Sequence, residues 1–205
     1  MKISLLDYGA GNLPSVERAL QRLGAQTERI STSAGVAKAS ALILPGVGHY
    51  SALIRALNRD GMRDSLIAAI ERGVPFLGIC LGLQALFQKS EEAPDSQGLR
   101  ILPGSVRVLS GAVKLPHMGW DQLQAKGGSR LLEGIDSAAY FYFAHSYAVP
   151  CRSEEPTSET RATCSYGSEF VAVAEKENIF AVQFHPEKSA DAGQRVLENF
   201  LRIAA

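Results

Sequence analysis

The 205-residue chain has no net charge and little cysteine, and both shortages narrow its possible functions. Its 21 basic and 21 acidic side chains balance, which argues against a nucleic-acid-binding protein or one that adheres to an anionic membrane. The cysteines are only three, Cys80, Cys151 and Cys164. An odd and low count favours free thiols in a reducing compartment, so we expect a cytoplasmic protein.

Long apolar runs are also missing. The uncharged stretch at residues 73–88 contains Pro75 and three glycines, and it is shorter than the about 20 residues of a membrane-spanning helix. The apolar run at residues 3–6 ends at Asp7 and is too short for a signal peptide. We therefore expect neither a membrane span nor an export signal.

Motifs for common cofactors and metals are absent as well. Residues 9–11 read G-A-G, but Pro14 stands where a dinucleotide-binding fingerprint needs its third glycine. The sequence contains no phosphate-binding P-loop, and no C-x-x-C or H-E-x-x-H spacing. We expect no cofactor and no metal.

Hydrophobic patterning predicts an α/β fold. Strands and helices alternate through the first half, which is typical of a parallel sheet covered by helices on both faces. The expected strands there are residues 3–7, 26–31, 41–44 and 75–79, and the expected helices are residues 13–23, 50–59, 63–72 and 81–88. The second half is predicted to hold strands at residues 100–109, 140–149, 169–175 and 179–184, and a closing helix from residue 191. With no repeat or linker, and residues 91–98 as an exposed loop, we predict one domain over residues 1–205 with a doubly wound, mixed but mainly parallel sheet.

A cysteine between glycines ends the fourth expected strand, in the sequence Gly78-Ile79-Cys80-Leu81-Gly82. It matches the nucleophile elbow G-x-S-x-G with cysteine in place of serine. Such a turn exposes the Cys80 thiol at the carboxyl edge of the sheet, favours its thiolate at a helix N-terminus, and directs the Leu81 N–H towards an oxyanion. A buried structural cysteine between packing glycines fits these five residues equally well.

A histidine and a glutamate follow the last expected strand, in the sequence Q-F-H-P-E at residues 183–187. Pro186 keeps His185 out of the helical conformation, so His185 and Glu187 are expected to project to the same side. Glu187 can then orient the imidazole that takes the Cys80 proton. Alone, the pair also fits a strand-end histidine beside a solvated glutamate; together with the elbow, it favours a Cys80–His185–Glu187 triad.

A glycine-rich loop, Pro45-Gly46-Val47-Gly48, follows the third expected strand. We call these four residues the oxyanion loop. Its glycines permit the backbone to approach a ligand, and ligands of doubly wound folds bind at the carboxyl ends of the strands. A second oxyanion donor and an ordinary turn fit this loop equally well when it is considered alone.

Together these motifs resemble those of the class I, triad-type glutamine amidotransferases. Among them the chain is most similar to the glutaminase subunits of imidazole glycerol phosphate synthases, which serve histidine biosynthesis. The similarity spans almost the whole chain and rests on D-Y-G-A-G-N at residues 7–12, M-G-W at 118–120, H-S-Y at 145–147 and Q-F-H-P-E-K-S at 183–189. Asp121 replaces the asparagine expected after M-G-W, and Leu83 replaces a common methionine.

The resemblance implies a flavodoxin-like core and the hydrolysis of glutamine to glutamate and ammonia. It implies Val47, Gly48 and Leu81 as the source of oxyanion donors. The glutamine contacts that it implies are Gln84, Glu92, His145, Ser146 and Tyr147. It further implies that ammonia passes to a separate (β/α)₈ cyclase subunit in a heterodimer. For that contact we predict a docking face containing Asn12, Trp120 and Lys188, although Trp120 also fits the core and Glu92 also fits an exposed loop charge.

Three other functions remain open at this point. Another glutaminase, of the anthranilate synthase or pyridoxal phosphate synthase type, shares the triad, but the segments at residues 8–12 and 118–120 argue against it. A catalytically silent binding module would not need the intact triad. A cysteine peptidase on a related sheet would cleave peptides without hydrolysing glutamine.

Overall fold

A computed structural model describes residues 2–10, 12–151 and 158–205 of the chain. Its α-helices are Leu13–Arg22 (α1), Ser33–Lys38 (α2), Tyr50–Leu57 (α3), Met62–Glu71 (α4), Leu81–Gln84 (α5) and Ala190–Ile203 (α6). Its strands are Lys2–Leu6 (β1), Gln26–Ile30 (β2), Leu42–Gly46 (β3), Phe76–Cys80 (β4), Lys89–Ser90 (β5), Ser105–Val108 (β6), His117–Gln122 (β7), Gln124–Ala125 (β8), Tyr140–His145 (β9), Tyr147–Ala148 (β10), Thr160–Tyr166 (β11), Ser168–Lys176 (β12) and Ile179–Val182 (β13). Two 3₁₀ turns cover Arg59–Gly61 and Pro186–Lys188.

The central sheet has eight strands within the described residues, in the order β2-β1-β3-β4-β13-β12-β11-β8. Strands β1 to β4 and β13 run parallel, whereas β12, β11 and β8 extend the sheet antiparallel. β3 and β4 are buried at every position, as expected for central parallel strands covered on both faces. The predicted doubly wound, mixed but mainly parallel fold is therefore confirmed.

Apolar side chains form one core on each face of this sheet. On one face, Leu53 and Leu57 of α3 and Leu66 of α4 pack over the strands. On the other, α1 and α6 contribute Val16 and Phe200 among others. No helix in the described part of the chain is long and apolar enough to cross a membrane.

The register of the sheet brings three segments to one edge. Gly46 at the end of β3 is paired with Cys80 at the end of β4, and Val182 at the end of β13 is paired with Ile79. The oxyanion loop, the elbow and the segment that carries His185 therefore leave adjacent strands at the same carboxyl edge.

Three predicted elements differ in extent: the strand predicted at residues 140–149 is divided at Ser146 into β9 and β10, which belong to different sheets, and two others were too long. The helix predicted at residues 81–88 ends at Gln84, because the backbone N–H groups of Leu99 and Ile101 donate to the carbonyls of Ala85 and Leu86 and draw the chain out of helical bonding. The strand predicted at residues 100–109 is accordingly reduced to Ser105–Val108. The same packing buries part of the 91–98 loop, so that loop is not uniformly exposed.

Candidate active site

The turn at Cys80 is strained and tightly packed. Cys80 has φ 53° and ψ −105°, a conformation that a residue with a side chain rarely adopts. A Cβ atom on Gly82 would lie 1.9 Å from the Leu44 carbonyl oxygen, and one on Gly78 would lie 2.6 Å from the Gly82 oxygen. The glycines of the elbow are thus required by close backbone approach, which holds the Cys80 backbone in place.

Cys80, His185 and Glu187 lie in contact. The His185 ring hydrogen-bonds the Cys80 thiol, and its Nδ1 lies 2.9 Å from Glu187 Oε1. The side chains of His185 and Glu187 are almost fully buried, at 3% and 1% exposure. Burial opposes a charge on His185, but the hydrogen bonds to Cys80 and Glu187 outweigh it and raise the pKa of His185 above its ordinary value.

Backbone bonds hold His185 against strand β9. The His185 N–H donates to the Tyr142 carbonyl at 2.9 Å. Ser189 completes a ring of bonds, because its Oγ donates to the His185 carbonyl at 2.7 Å and accepts from the Tyr142 N–H at 2.9 Å. Strand β9 therefore fixes the position of His185, and Tyr142 of the same strand also contacts Trp120.

A cleft opens above the Cys80 thiol and encloses about 100 Å³. That is well below the about 300–1,000 Å³ of pockets for drug-sized ligands, and it suits a substrate as small as an amino acid. The cleft is lined by Val47, Gly48, Cys80, Leu81, Gln84, Glu92, Ala144, His145, Ser146 and Tyr147. Every residue for which the sequence predicted an oxyanion or glutamine contact is in this lining; whether each makes that contact stays a prediction.

A network of buried polar groups shapes one wall of the cleft. The Tyr147 carbonyl accepts from Gln84 Nε2 at 2.8 Å and lies 2.9 Å from His145 Nδ1. Burial lowers the pKa of His145 to about 3, so this imidazole is neutral and carries its proton on Nδ1, facing the carbonyl. The segment at residues 145–147 is thereby fixed in shape.

Glu92 enters the cleft from the 91–98 loop and is not a free surface charge. Its Oε2 accepts from the Tyr50 N–H at the start of α3, at 2.8 Å. A helix N-terminus favours a carboxylate, so the contact both orients Glu92 and suits its negative charge. The arrangement favours the predicted binding interpretation over that of an exposed loop charge.

The two sets of expected oxyanion donors differ in orientation. The Leu81 N–H stands at the start of α5, directly after Cys80. The Val47 N–H instead donates to the Tyr8 hydroxyl at 3.2 Å. Gly48 follows at φ +95°, a conformation that glycine adopts without strain. Because α5 has only four residues, its unpaired N–H groups matter more here than a helix dipole.

Two residues of the site were assigned no role from the sequence. Gln183 Nε2 lies 3.5 Å from Cys80 Sγ, and Gln183 Oε1 accepts from Gln84 at 3.2 Å. Tyr8 contacts the oxyanion loop. Both stand inside motifs that the sequence had singled out, directly before F-H-P-E and after Asp7, but only the folded structure shows which atoms they reach.

The predicted docking face is exposed at two of its three residues. Trp120 is 51% exposed, which argues against a place in the core, and it meets the Tyr142 ring edge to face at 5.9 Å. Lys188 is exposed and holds its ammonium 5.5 Å from the same ring. Asn12 is half-buried and precedes α1, which packs against the turn that carries Lys188.

A family model described as "Glutamine amidotransferase class-I" matches residues 4–204. The chain is 44% identical over 198 residues to imidazole glycerol phosphate synthase subunit HisH of Moorella thermoacetica, covering 97% of this chain and 93% of the relative. It is 45% identical to the subunit of the same name from Methanothermobacter thermautotrophicus, covering 98% of both. In Arabidopsis thaliana the chain matches 34% of a longer protein named imidazole glycerol phosphate synthase hisHF, at 43% identity.

Solved structures show the same fold at lower identity. One titled as the crystal structure of a glutamine amidotransferase superposes with a TM-score of 0.77 over 98% of both chains, at 20% identity. Another, PurLQS from Thermotoga maritima, gives a TM-score of 0.76 over 98% of this chain and 97% of that one, at 18% identity. The chain therefore belongs to the class I glutamine amidotransferase family and, within it, to the family of HisH subunits of imidazole glycerol phosphate synthase.

Proposed function

We propose that this chain hydrolyses the side-chain amide of glutamine with Cys80, His185 and Glu187 and delivers the ammonia to a cyclase subunit of imidazole glycerol phosphate synthase. The observation that carries the proposal is the buried contact of these three side chains beneath a cleft of amino-acid size. The named relatives favour this synthase over the anthranilate or pyridoxal phosphate types.

The first half-reaction releases ammonia. The Cys80 sulfur attacks the side-chain amide carbon of glutamine, and the carbonyl oxygen becomes an oxyanion beside the Leu81 N–H. The imidazolium of His185, hydrogen-bonded to Glu187, donates its proton to the amide nitrogen as the carbon–nitrogen bond breaks. The products are ammonia and a γ-glutamyl thioester on Cys80.

The second half-reaction clears the enzyme. His185, now neutral, removes a proton from water, and the hydroxide adds to the thioester carbon. Collapse of that intermediate breaks the carbon–sulfur bond, releases glutamate, and returns the thiolate and imidazolium. Glu187 keeps the His185 ring oriented in both steps through its contact with Nδ1.

Glutamine recognition is assigned to the rest of the cleft. The Glu92 carboxylate pairs with the α-ammonium group, a charge-assisted contact that the Tyr50 N–H pre-orients. Gln84 and the fixed segment at residues 145–147 bound the other side and limit the ligand to the length of glutamine.

The proposed acceptor of ammonia is a separate (β/α)₈ cyclase subunit in a heterodimer, docked on Asn12, Trp120 and Lys188. Support comes from the exposure of Trp120 and Lys188, because a tryptophan exposed beside a lysine is unusual unless it is an interface anchor. We place the reaction in the cytoplasm, since three free cysteines favour a reducing compartment.

A glutaminase assay on the chain, with and without a cyclase subunit and its nucleotide ligand, tests the proposal. Glutamate should form in the complex, and Cys80→Ala should abolish its formation while complex assembly, followed by gel filtration, persists. Cys151→Ala is the matched control and should keep full activity, because Cys151 lies outside the cleft. Turnover by Cys80→Ala at the native rate would refute the proposed nucleophile.

A further inference from the structure

Gln183 is a fully buried glutamine whose side chain reaches the sulfur of the proposed nucleophile. It directly follows β13, whose last residue, Val182, is paired with Ile79, the residue before Cys80. The Gln183 N–H donates to the Ala172 carbonyl of β12 at 2.9 Å, so the sheet holds its backbone on both sides. From this position the side-chain Nε2 lies 3.5 Å from Cys80 Sγ.

Hydrogen bonds on the far side of Gln183 determine which end of its amide faces the sulfur. The Tyr147 carbonyl can only accept, so the Gln84 side-chain atom that lies 2.8 Å from it is the nitrogen Nε2. The same nitrogen lies 3.2 Å from the Gln183 side chain, where only an oxygen can accept its second proton. The other end of the Gln183 amide, which faces Cys80, is therefore the N–H donor. We call Tyr147, Gln84 and Gln183 the amide relay.

The amide relay favours one charge state of Cys80. A thiolate is a charged acceptor, whereas a thiol accepts hydrogen bonds only weakly. Cys80 is 6% exposed, so water can solvate little of a negative charge on its sulfur. The His185 ring also hydrogen-bonds the sulfur, but it gives up its proton during the proposed reaction. The Gln183 amide keeps its own proton and can donate to the sulfur in every step.

We propose that Gln183 is a further catalytic residue, which stabilises the Cys80 thiolate through its side-chain N–H before the attack on glutamine and again when the sulfur leaves the γ-glutamyl thioester. The inference rests on the proposed function, because it concerns the nucleophile of that same reaction. The bond from Gln84 keeps the donor turned towards the sulfur. The amide relay thus links the charge state of Cys80 to the Tyr147 carbonyl in the wall of the cleft.

Two opposing changes set the size of the effect. A hydrogen bond to a charged group shifts an equilibrium by about 10–100-fold, so loss of the Gln183 N–H should lower the thiolate fraction of Cys80 by up to about that factor. The remaining thiolate is more basic and therefore more nucleophilic, which recovers about half of the loss on a logarithmic scale. We expect a net loss of about 3–10-fold in the rate at which Cys80 reacts with an electrophile at about pH 7.

Alkylation of Cys80 by iodoacetamide, in the uncomplexed chain and without glutamine, tests the proposal. Peptide mass spectrometry follows Cys80 separately from Cys151 and Cys164. Gln183→Met keeps the length of the side chain and removes the donor, so its Cys80 should react about 3–10-fold more slowly than that of the native chain at about pH 7. The deficit should shrink as the pH rises, because hydroxide removes the thiol proton with or without the donor.

The matched control is Asn199→Leu. Asn199 is also a buried side-chain amide, and its Nδ2 donates to the carbonyls of Leu131 and Glu133, but it does not line the cleft. This variant loses comparable hydrogen bonds, and its Cys80 should nevertheless react at the native rate. A native rate in Gln183→Met, a deficit that persists unchanged at higher pH, or an equal deficit in Asn199→Leu would overturn the proposal.

A second measurement leaves Gln183 intact and does not depend on the folding of Gln183→Met. The side-chain amide protons of Gln183 and Asn199 are compared by NMR between the native chain and Cys80→Ala. The Gln183 proton that faces the sulfur should move upfield, because its acceptor is gone, and the Asn199 protons should not move. An unmoved Gln183 proton would overturn the proposal. If the native chain forms no glutamate even with cyclase and its nucleotide, the proposed function fails instead, and alkylation and NMR still decide whether Gln183 stabilises the thiolate.

Discussion

At the scale of single residues, the most constrained position is Cys80. Its backbone conformation costs on the order of 1–3 kcal/mol for a residue with a Cβ, and glycine adopts it without that strain. The chain therefore carries a cost in stability at the residue that we propose as the nucleophile. The elbow holds this conformation by the close packing of Gly78 and Gly82 against neighbouring backbone.

This strain predicts an unusual order of stabilities. Cys80→Gly should be about 1 kcal/mol more stable than Cys80→Ala, because relief of strain exceeds the entropic disadvantage of glycine. Urea denaturation of both inactive variants measures the difference. At Cys164, a buried strand residue with ordinary φ, the order should be reversed, with alanine the more stable. An alanine variant at Cys80 as stable as the glycine variant would contradict the strain.

His185 and Glu187 should differ in their contributions to catalysis. His185→Ala should lower kcat by about 10²–10⁴-fold, because the ring serves as acid in one half-reaction and base in the other. Glu187→Gln should cost less, since Glu187 only orients that ring. Steady-state kinetics of the complex with cyclase compare the two. A larger loss in Glu187→Gln would show that the roles are wrongly assigned.

The buried His145 should make the folded state sensitive to acid. Its pKa is about 3 when folded, against an ordinary value of about 6.5 in the unfolded chain. Between these values the unfolded chain binds a proton that the folded chain does not, so stability falls as the pH drops below about 6.5. Burial lowers the pKa of His117 and acts in the same direction, whereas His185, whose pKa is raised, is protonated in both states well below about pH 6.5 and adds little to the slope there.

The unfolding free energy should therefore fall less steeply with decreasing pH in His145→Asn than in the native chain. The slope should be smaller by up to about 1.4 kcal/mol per pH unit. Urea denaturation at several pH values between about 5 and 6.5 gives the slope. Phe141→Leu is the control, because this buried ring carries no titratable group and its replacement should lower stability without changing the slope. Equal slopes for His145→Asn and the native chain would contradict a neutral buried His145.

At the scale of elements, Ser189 joins the start of α6 to the triad and to β9. Ser189→Ala leaves the Tyr142 N–H without its partner, at a cost of about 1–3 kcal/mol, and removes one of the two bonds that the His185 carbonyl accepts, the other coming from the Lys188 N–H. Because Tyr142 lies under Trp120 and Lys188, we expect Ser189→Ala to lower the activity of the cyclase complex more than that of the chain alone. Assays of both forms measure this, with Ser165→Ala, an exposed strand serine, as control. Equal losses in the two forms would leave Ser189 with a structural role only.

The buried central strands could be predicted from the sequence more accurately than the short or partly exposed elements around them. β3 and β4 are uninterrupted apolar runs, and the strand-to-helix turn at Cys80 follows from its glycines, so both were predicted. The short α5 was not, because its end depends on bonds from Leu99 and Ile101, which lie more than a dozen residues further along the chain. Strand β7 alternates in burial, but its large apolar residues Met118 and Trp120 are on the exposed side, so its sequence lacks the apolar–polar alternation that marks a strand with one buried face.

In the candidate site, too, local features were predictable from the sequence and contacts between distant residues were not. The triad was predictable because elbow and H-P-E motifs report local geometry, and their meeting follows from parallel strands that end at one edge. The hydrogen bond from the Val47 N–H to the Tyr8 hydroxyl joins residues 39 positions apart, and the Glu92–Tyr50 contact spans 42 positions. No local pattern encodes which atoms meet over such separations.

At the scale of the whole molecule, one edge of the sheet holds Cys80, His185 and the proposed glutamine cleft, and β9 carries Tyr142 beside the exposed Trp120. β9 runs from Tyr140 beside that surface to His145 in the cleft, so substrate and cyclase are expected to contact two ends of one strand. We expect docking of the cyclase to act on His185 through this strand, because Tyr142 is hydrogen-bonded to both His185 and Ser189.

The most direct test is to trap the acyl intermediate. The complex with cyclase is mixed with glutamine, quenched in acid within the first turnover, and digested for peptide mass spectrometry. A γ-glutamyl thioester should be found on the peptide that contains Cys80, should be absent from those with Cys151 and Cys164, and should disappear in Cys80→Ala. Release of glutamate with no modification of Cys80, or an adduct on another cysteine, would contradict catalysis by the Cys80–His185–Glu187 triad.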